Sequence, residues 1–108
     1  MKKFLVLYRS NISATERMSR STAEQAKAGM EAWSGWAKRA AGALIELGAP
    51  LGESIRLKGS ANPDYIGGFS IVQAESVDAA KKIFDAHPHF DSQGGSIELL
   101  ELLPMPGA

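Results

Sequence analysis

Apolar positions in this chain follow two rhythms, a period of two near the ends and of three to four between. Over residues 3–9, Phe4, Val6 and Tyr8 alternate with Leu5 and Leu7, so the first strand carries apolar groups on both faces. Residues 10–20 (SNISATERMSR) are polar and aperiodic, which predicts a flexible loop. From Thr22 to Leu47 the period lengthens. Ala26, Met30, Trp33, Ala37, Ala40 and Leu44 recur at three- to four-residue steps as the core-facing stripe of one long helix. Ser21 with Glu24 has the pattern of a capping box. Gly48 supplies a stop, with Pro50 beyond it. Gly35 and Gly42 lie away from the stripe, where close approach of another backbone would explain them.

Residues 53–58 (ESIRLK) return to alternation, with Ile55 and Leu57 inward and Arg56 and Lys58 outward, as an edge strand with one wet side would. Turn formers fill residues 59–68, and a third strand spans 69–74. Ser76 caps a second helix that runs to about Ala86, with Asp78 in its first turn and Ala80, Ile83 and Phe84 on its buried face. The last strand covers Ser96 to Leu103. Residues 104–108, with Pro104, Pro106 and Gly107, form a tail.

The order β-α-β-β-α-β is the split βαβ pattern of a ferredoxin-like α+β sandwich, one domain over residues 1–108. Two helices should cover one face of a four-stranded antiparallel sheet. The other face should be polar in a monomer, yet it is not. Strand one is apolar on both sides. The last strand offers Ile97, Leu99 and Leu103 one way and Leu100 and Leu102 the other. A wet face of this kind would exceed the few hundred Å² that soluble monomers usually expose, so a homodimer stacked sheet to sheet is expected.

Composition narrows the function classes. Twelve basic and twelve acidic residues cancel, so neither nucleic acid nor an anionic membrane surface is an expected partner. Arg9, Arg17, Arg20 and Lys27 cluster early, but Glu16 and Glu24 sit among them, which reads as a solvated face. With no cysteine, thiol nucleophiles and Cys–zinc sites are excluded. The apolar run after Lys2-Lys3 ends at Arg9, too short for a signal peptide or a bilayer span, so a cytoplasmic location is expected.

The strand-to-helix run GGFSIVQAES and the segment HPHF…GGSIELLEL, together with the element order, resemble the YCII-related domain proteins of the dimeric α/β-barrel superfamily. The likeness covers nearly the whole chain and is strongest over residues 67–103. Related members carry a DGPF motif before the third strand. This chain has Asn62-Pro63-Asp64-Tyr65-Ile66-Gly67-Gly68 there, which sets it in another branch. The resemblance also implies a catalytic histidine on the first helix paired with an aspartate. No histidine precedes His87, so that pair does not carry over.

Chemistry must then come from elsewhere. His87-Pro88-His89-Phe90-Asp91 is the candidate catalytic segment. Pro88 biases His87 towards an extended backbone, and continued extension would put His87, His89 and Asp91 on one side, about 7 Å apart per two-residue step. Neutral imidazoles suit proton transfer near neutral pH, with a carboxylate fixing the tautomer. The bland alternative has one histidine closing the helix and the other packing at the subunit boundary. Arg9 at the end of strand one, Trp36 about 60° round the helix from Trp33, and Tyr65 in the turn-rich loop are candidate ligand contacts. Glu98, flanked by apolar residues, would titrate high if buried alone. No phosphate loop, nucleophile elbow or zinc spacing is present, so neither a metal nor a cofactor is expected. Together these features describe a homodimer binding a small organic molecule. By analogy with the superfamily it could be a cofactor-free enzyme of proton-transfer, isomerase or lyase type. The competing reading is a non-catalytic accessory dimer.

Overall fold

The computed structural model describes residues 1–60, 64–92 and 94–106. Strand β1 (Lys2–Ser10) is followed by helices α1 (Ala14–Arg20) and α2 (Ala23–Ala40) and strands β2 (Leu44–Pro50) and β3 (Tyr65–Ala74). Helix α3 (Val77–Ile83), a 3-10 turn (Pro88–Asp91) and β4 (Ser96–Glu101) complete the chain. The sheet is antiparallel throughout, in the order β2-β3-β1-β4. This is the α+β arrangement that the hydrophobic rhythm predicts, with one helix more.

The extra helix corrects the expected loop over 10–20. Ser13 caps α1 by accepting from the Glu16 backbone N–H at 3.1 Å. Only Ala14 of the helix is buried, too little for a detectable stripe. The cap of α2 falls one residue later than the Ser21–Glu24 pattern suggests. Thr22 Oγ1 accepts from the Gln25 N–H at 3.1 Å and Gln25 Oε1 accepts from the Thr22 N–H at 2.9 Å. The helix ends at Ala40 rather than Leu47, because Leu44–Pro50 pairs with β3. Met30 is exposed on it, and Trp36, expected at the margin of the stripe, lies in the core. Among the described residues no backbone of another element comes within 4 Å of where a Cβ would stand at Gly35 or Gly42, so close packing within the chain does not explain them.

Gly48 is therefore a residue of β2, not a helix stop. It has φ +84°, and a Cβ there would overlap the Phe69 carbonyl. The β2–β3 register shifts across Glu46 and Ala49, so Gly48 sits in a bulge that only glycine fits. The predicted strand over 53–58 is an exposed loop, with Ile55 88% and Leu57 97% accessible. Strand β3 begins at Tyr65, absorbing the last four residues of the expected turn over 59–68; residues 61–63 of that turn lie outside the described residues. Helix α3 stops at Ile83, short of Ala86, which takes φ 56°. Strand β4 stops at Glu101. Of the tail, Gly107 and Ala108 lie outside the described residues.

Phe4, Val6, Tyr8, Val72 and Ala74 form the buried sheet face, covered by Trp36 and Ala40 of α2 and by Ala80 and Phe84. Two hydroxyls lie within this layer. Ser70 Oγ donates to the Leu47 carbonyl at 2.6 Å, which leaves the Tyr8 hydroxyl to donate to Ser70 Oγ at 2.8 Å. Burial pushes the Tyr8 pKa up to about 12, so the phenol stays protonated. On the opposite face, Leu5 stands between Leu100 and Ile71, and Leu7 between Glu98 and Phe69. All six are at least partly accessible. No helix among the described residues is long and apolar enough to cross a membrane.

Candidate functional site

The end of α3 and the 3-10 turn bring both histidines under the helical layer. His87 is 1% exposed and surrounded by rings. Ring centroids lie 4.4 Å away for Trp36, 4.6 Å for Trp33, 5.2 Å for Tyr8 and 5.8 Å for Phe84. His87 caps the turn, its Nδ1 accepting from the His89 backbone N–H at 2.9 Å. The ring proton therefore resides on Nε2, which is buried without a hydrogen-bond partner among the described residues. Aromatic faces are the weak acceptors around it. Burial, then the neighbouring charges of His89 and Arg39, lowers the His87 pKa to about 4.

His89 is also buried, and its Nε2 lies 2.7 Å from the Arg9 carbonyl, so Nε2–H donates there. Burial lowers its pKa. The Arg9 carbonyl opposes that shift, the charge of Arg17 adds to it, and the Ser96 carbonyl opposes it again. Both imidazoles are accordingly neutral at pH 7.

Asp91 does not join them. Pro88 occupies the first turn of a 3-10 helix, a position its fixed φ favours, so the segment coils instead of extending. Asp91 is exposed, on a different wall. Trp36 is 1% exposed, with Nε1–H donating to the Ile83 carbonyl at 2.9 Å; it supports the histidine box and lines neither open groove. Arg9 points to the opposite face of the sheet. There its Nε donates to Glu98 Oε1 at 2.8 Å and its Nη1 to Asp64 Oδ1 at 3.1 Å. Glu98 thus has a cation partner rather than standing alone, and its hydrogen bond, with Asp64 nearby, holds Arg9 charged. Tyr65 starts β3 opposite Ser10 and is exposed.

Arg17, read from the sequence as part of a solvated face, sits at a different kind of place. With Ile12, Arg20, Gln25, Asp91 and Ser92 it lines an open groove of about 650 Å³ between α1, the start of α2 and the 3-10 turn. Its guanidinium packs over Gly67, where a Cβ would come within 3.4 Å of Nη2, and Nη1 donates to Ser92 Oγ at 3.3 Å. Arg20 pairs with Glu16, whereas no carboxylate among the described residues lies within ion-pair reach of Arg17. One signal was available in the sequence, since Glu16 and Arg20 are four apart and satisfy each other. No three His, Asp or Glu side chains converge into a metal-ligating group among the described residues.

An antiparallel sheet covered on one face by helices, with a neutral histidine pair beneath them and an arginine left without a carboxylate partner among the described residues, defines a small α+β domain. The chain matches the YCII-related domain over residues 4–106 and belongs to that family. No curated protein matches it.

Proposed function

We propose that this YCII-family protein is a homodimer that binds a small organic anion in the Arg17 groove. The carrying observation is the Arg17 guanidinium, half buried, hydrogen-bonded only to a neutral hydroxyl and free of a carboxylate partner among the described residues. A carboxylate supplies the planar, bidentate acceptor that such a group lacks. Ile12 and the stem of Gln25 offer apolar contact for the rest of the molecule. In this reading His87 and His89 serve as rigid support, since each ring is tied to backbone.

Titration calorimetry with a panel of aliphatic and aromatic monocarboxylates tests the site. Arg17→Met should weaken binding of whichever carboxylate binds best by at least about tenfold, the loss expected for a charged hydrogen-bond pair. Arg20→Met, whose charge already belongs to Glu16, should change it little. Equal affinity in wild type and Arg17→Met would refute the assignment.

Catalysis by proton transfer, isomerisation or elimination is the second reading, favoured by one observation. Burial, with the charge of Arg17 adding to it, lowers the His89 pKa, so a neutral imidazole lies close to the proposed anion site. Imidazole NMR signals of His89 that stay put under saturating carboxylate would dismiss it.

The homodimer rests on the Leu5, Leu7, Phe69, Ile71 and Leu100 surface, which a second sheet would cover. Sedimentation at micromolar concentration should show twice the mass of the chain. A folded species of single mass would count against it.

A further inference from the structure

Two apolar features lack partners among the described residues, and they lie at opposite edges of the sheet. One is the segment 53–58, where Ile55 and Leu57 alternate with Arg56 and Lys58 in a strand-like pattern, yet both apolar side chains stand in solvent. The other is the free edge of β4, which among the described residues pairs only with β1. Beside it lies an open groove of about 310 Å³ between Phe84, Phe90, Ile97 and Leu99, with Lys81 and Asp85 at its rim. Three strand spacings, about 14 Å, separate the two edges within one copy.

We propose that residues 53–58 of one copy pair as an added strand with the β4 edge of a second copy, seating Ile55 and Leu57 in its groove. The pairing rests on the homodimer reading and specifies how that dimer is locked. A two-fold axis parallel to the strands sets β2 of one copy opposite β4 of the other and keeps each at the same height along the sheet. Pro50, Gly68, Tyr8 and Ile97 lie in one cross-strand row. The segment leaving Pro50 therefore emerges at the level where the partner's groove begins. Five extended residues span about 16 Å, enough to cross the roughly 10 Å between stacked sheets.

Facing also agrees. With Ile55 and Leu57 turned to the helical side, beside Ile97 and Leu99, strand alternation turns Arg56 and Lys58 to the side that carries Glu98. Strand addition of this kind gains main-chain hydrogen bonds along the edge and specificity from alternate side-chain pockets. It also removes an unpaired edge that would otherwise invite aggregation.

The chain has no cysteine, so single-cysteine variants report contacts cleanly. Leu57→Cys mixed with Phe90→Cys under mild oxidation should form the heterodimeric disulfide at least about tenfold faster than Leu57→Cys mixed with the exposed helix control Glu31→Cys. The double variant Ile55→Asp/Leu57→Asp should raise the dimer dissociation constant by about tenfold or more, a 1.4 kcal/mol effect, with unchanged far-UV circular dichroism. A wild-type dimer whose affinity survives the double variant, with no preferred disulfide between Leu57→Cys and Phe90→Cys, overturns the strand exchange and leaves the dimer standing. A monomeric wild type overturns both.

Discussion

Trp36→Ala should lower the unfolding free energy by about 4 kcal/mol, within the range for truncating a fully buried tryptophan. Its indole stacks on Phe84 at 5.4 Å and forms one wall of the His87 box, so alanine opens a cavity where three elements meet. The substitution also strands the Ile83 carbonyl at the end of α3, which the indole N–H now satisfies. Trp36→Phe separates these effects. It keeps most of the ring and removes only the donor, so it should cost about 1–2 kcal/mol. Urea unfolding followed by circular dichroism, at one fixed protein concentration, measures both losses. A Trp36→Ala loss under about 1 kcal/mol, well below the usual cost of such a cavity, would mean that the box is not packed as described.

Acid should destabilise the protein from about pH 6.5 downward. An unfolded chain protonates His87 near pH 6.5, whereas the folded chain resists until about pH 4. Between those values the native state binds fewer protons. The stabilisation is therefore complete above pH 6.5 and drains away as pH falls towards 4, reaching about 3 kcal/mol for a shift of this size. His89, also lowered, contributes with the same sign. His87→Asn preserves an acceptor for the His89 N–H and cannot titrate, so its stability should fall less steeply across that window, even if it starts lower. Parallel stability profiles for wild type and His87→Asn from about pH 7 to about 4.5 would rule out His87 as the source.

The ends of the fold were more legible than its middle, for a physical reason. β1, α3 and β4 each combine one clear period with a local boundary signal, and their existence follows from nearby residues alone. The segment Leu44-Ile45-Glu46-Leu47 fits the tail of a helical stripe as well as it fits a strand. Pairing with Val72 and Ile71, more than twenty residues away, decides it. Residues 53–58 show the reverse error, since alternation without an intramolecular partner yields no strand. Helix α1 buries one alanine and so leaves no trace in the pattern.

The site divides the same way. That His87 and His89 belong together was readable from their spacing, but the coil that separates Asp91 from them depends on Pro88 opening a 3-10 turn. That signal was present and points away from the extended backbone that proline favours in the residue before it. The i,i+4 spacing of Glu16 and Arg20 set Arg20 apart in the sequence, but charge pattern could not tell Arg17 from Arg9. The other two find carboxylates, Arg9 at a distance and Arg20 one turn away, and only the folded chain shows which cation is left over.

The hydroxyl chain from Tyr8 through Ser70 to the Leu47 carbonyl has a consequence for any movement of the outer strand. Its donors all point one way, from the phenol towards the bulged outer strand. Tyr8 also stacks against the His87 imidazole. Leu47 of the outer strand is thus tied to the ring cluster through two short hydrogen bonds. Shifting the outer strand away from β3 therefore costs the Ser70–Leu47 bond, on which the direction of the phenol's own proton depends.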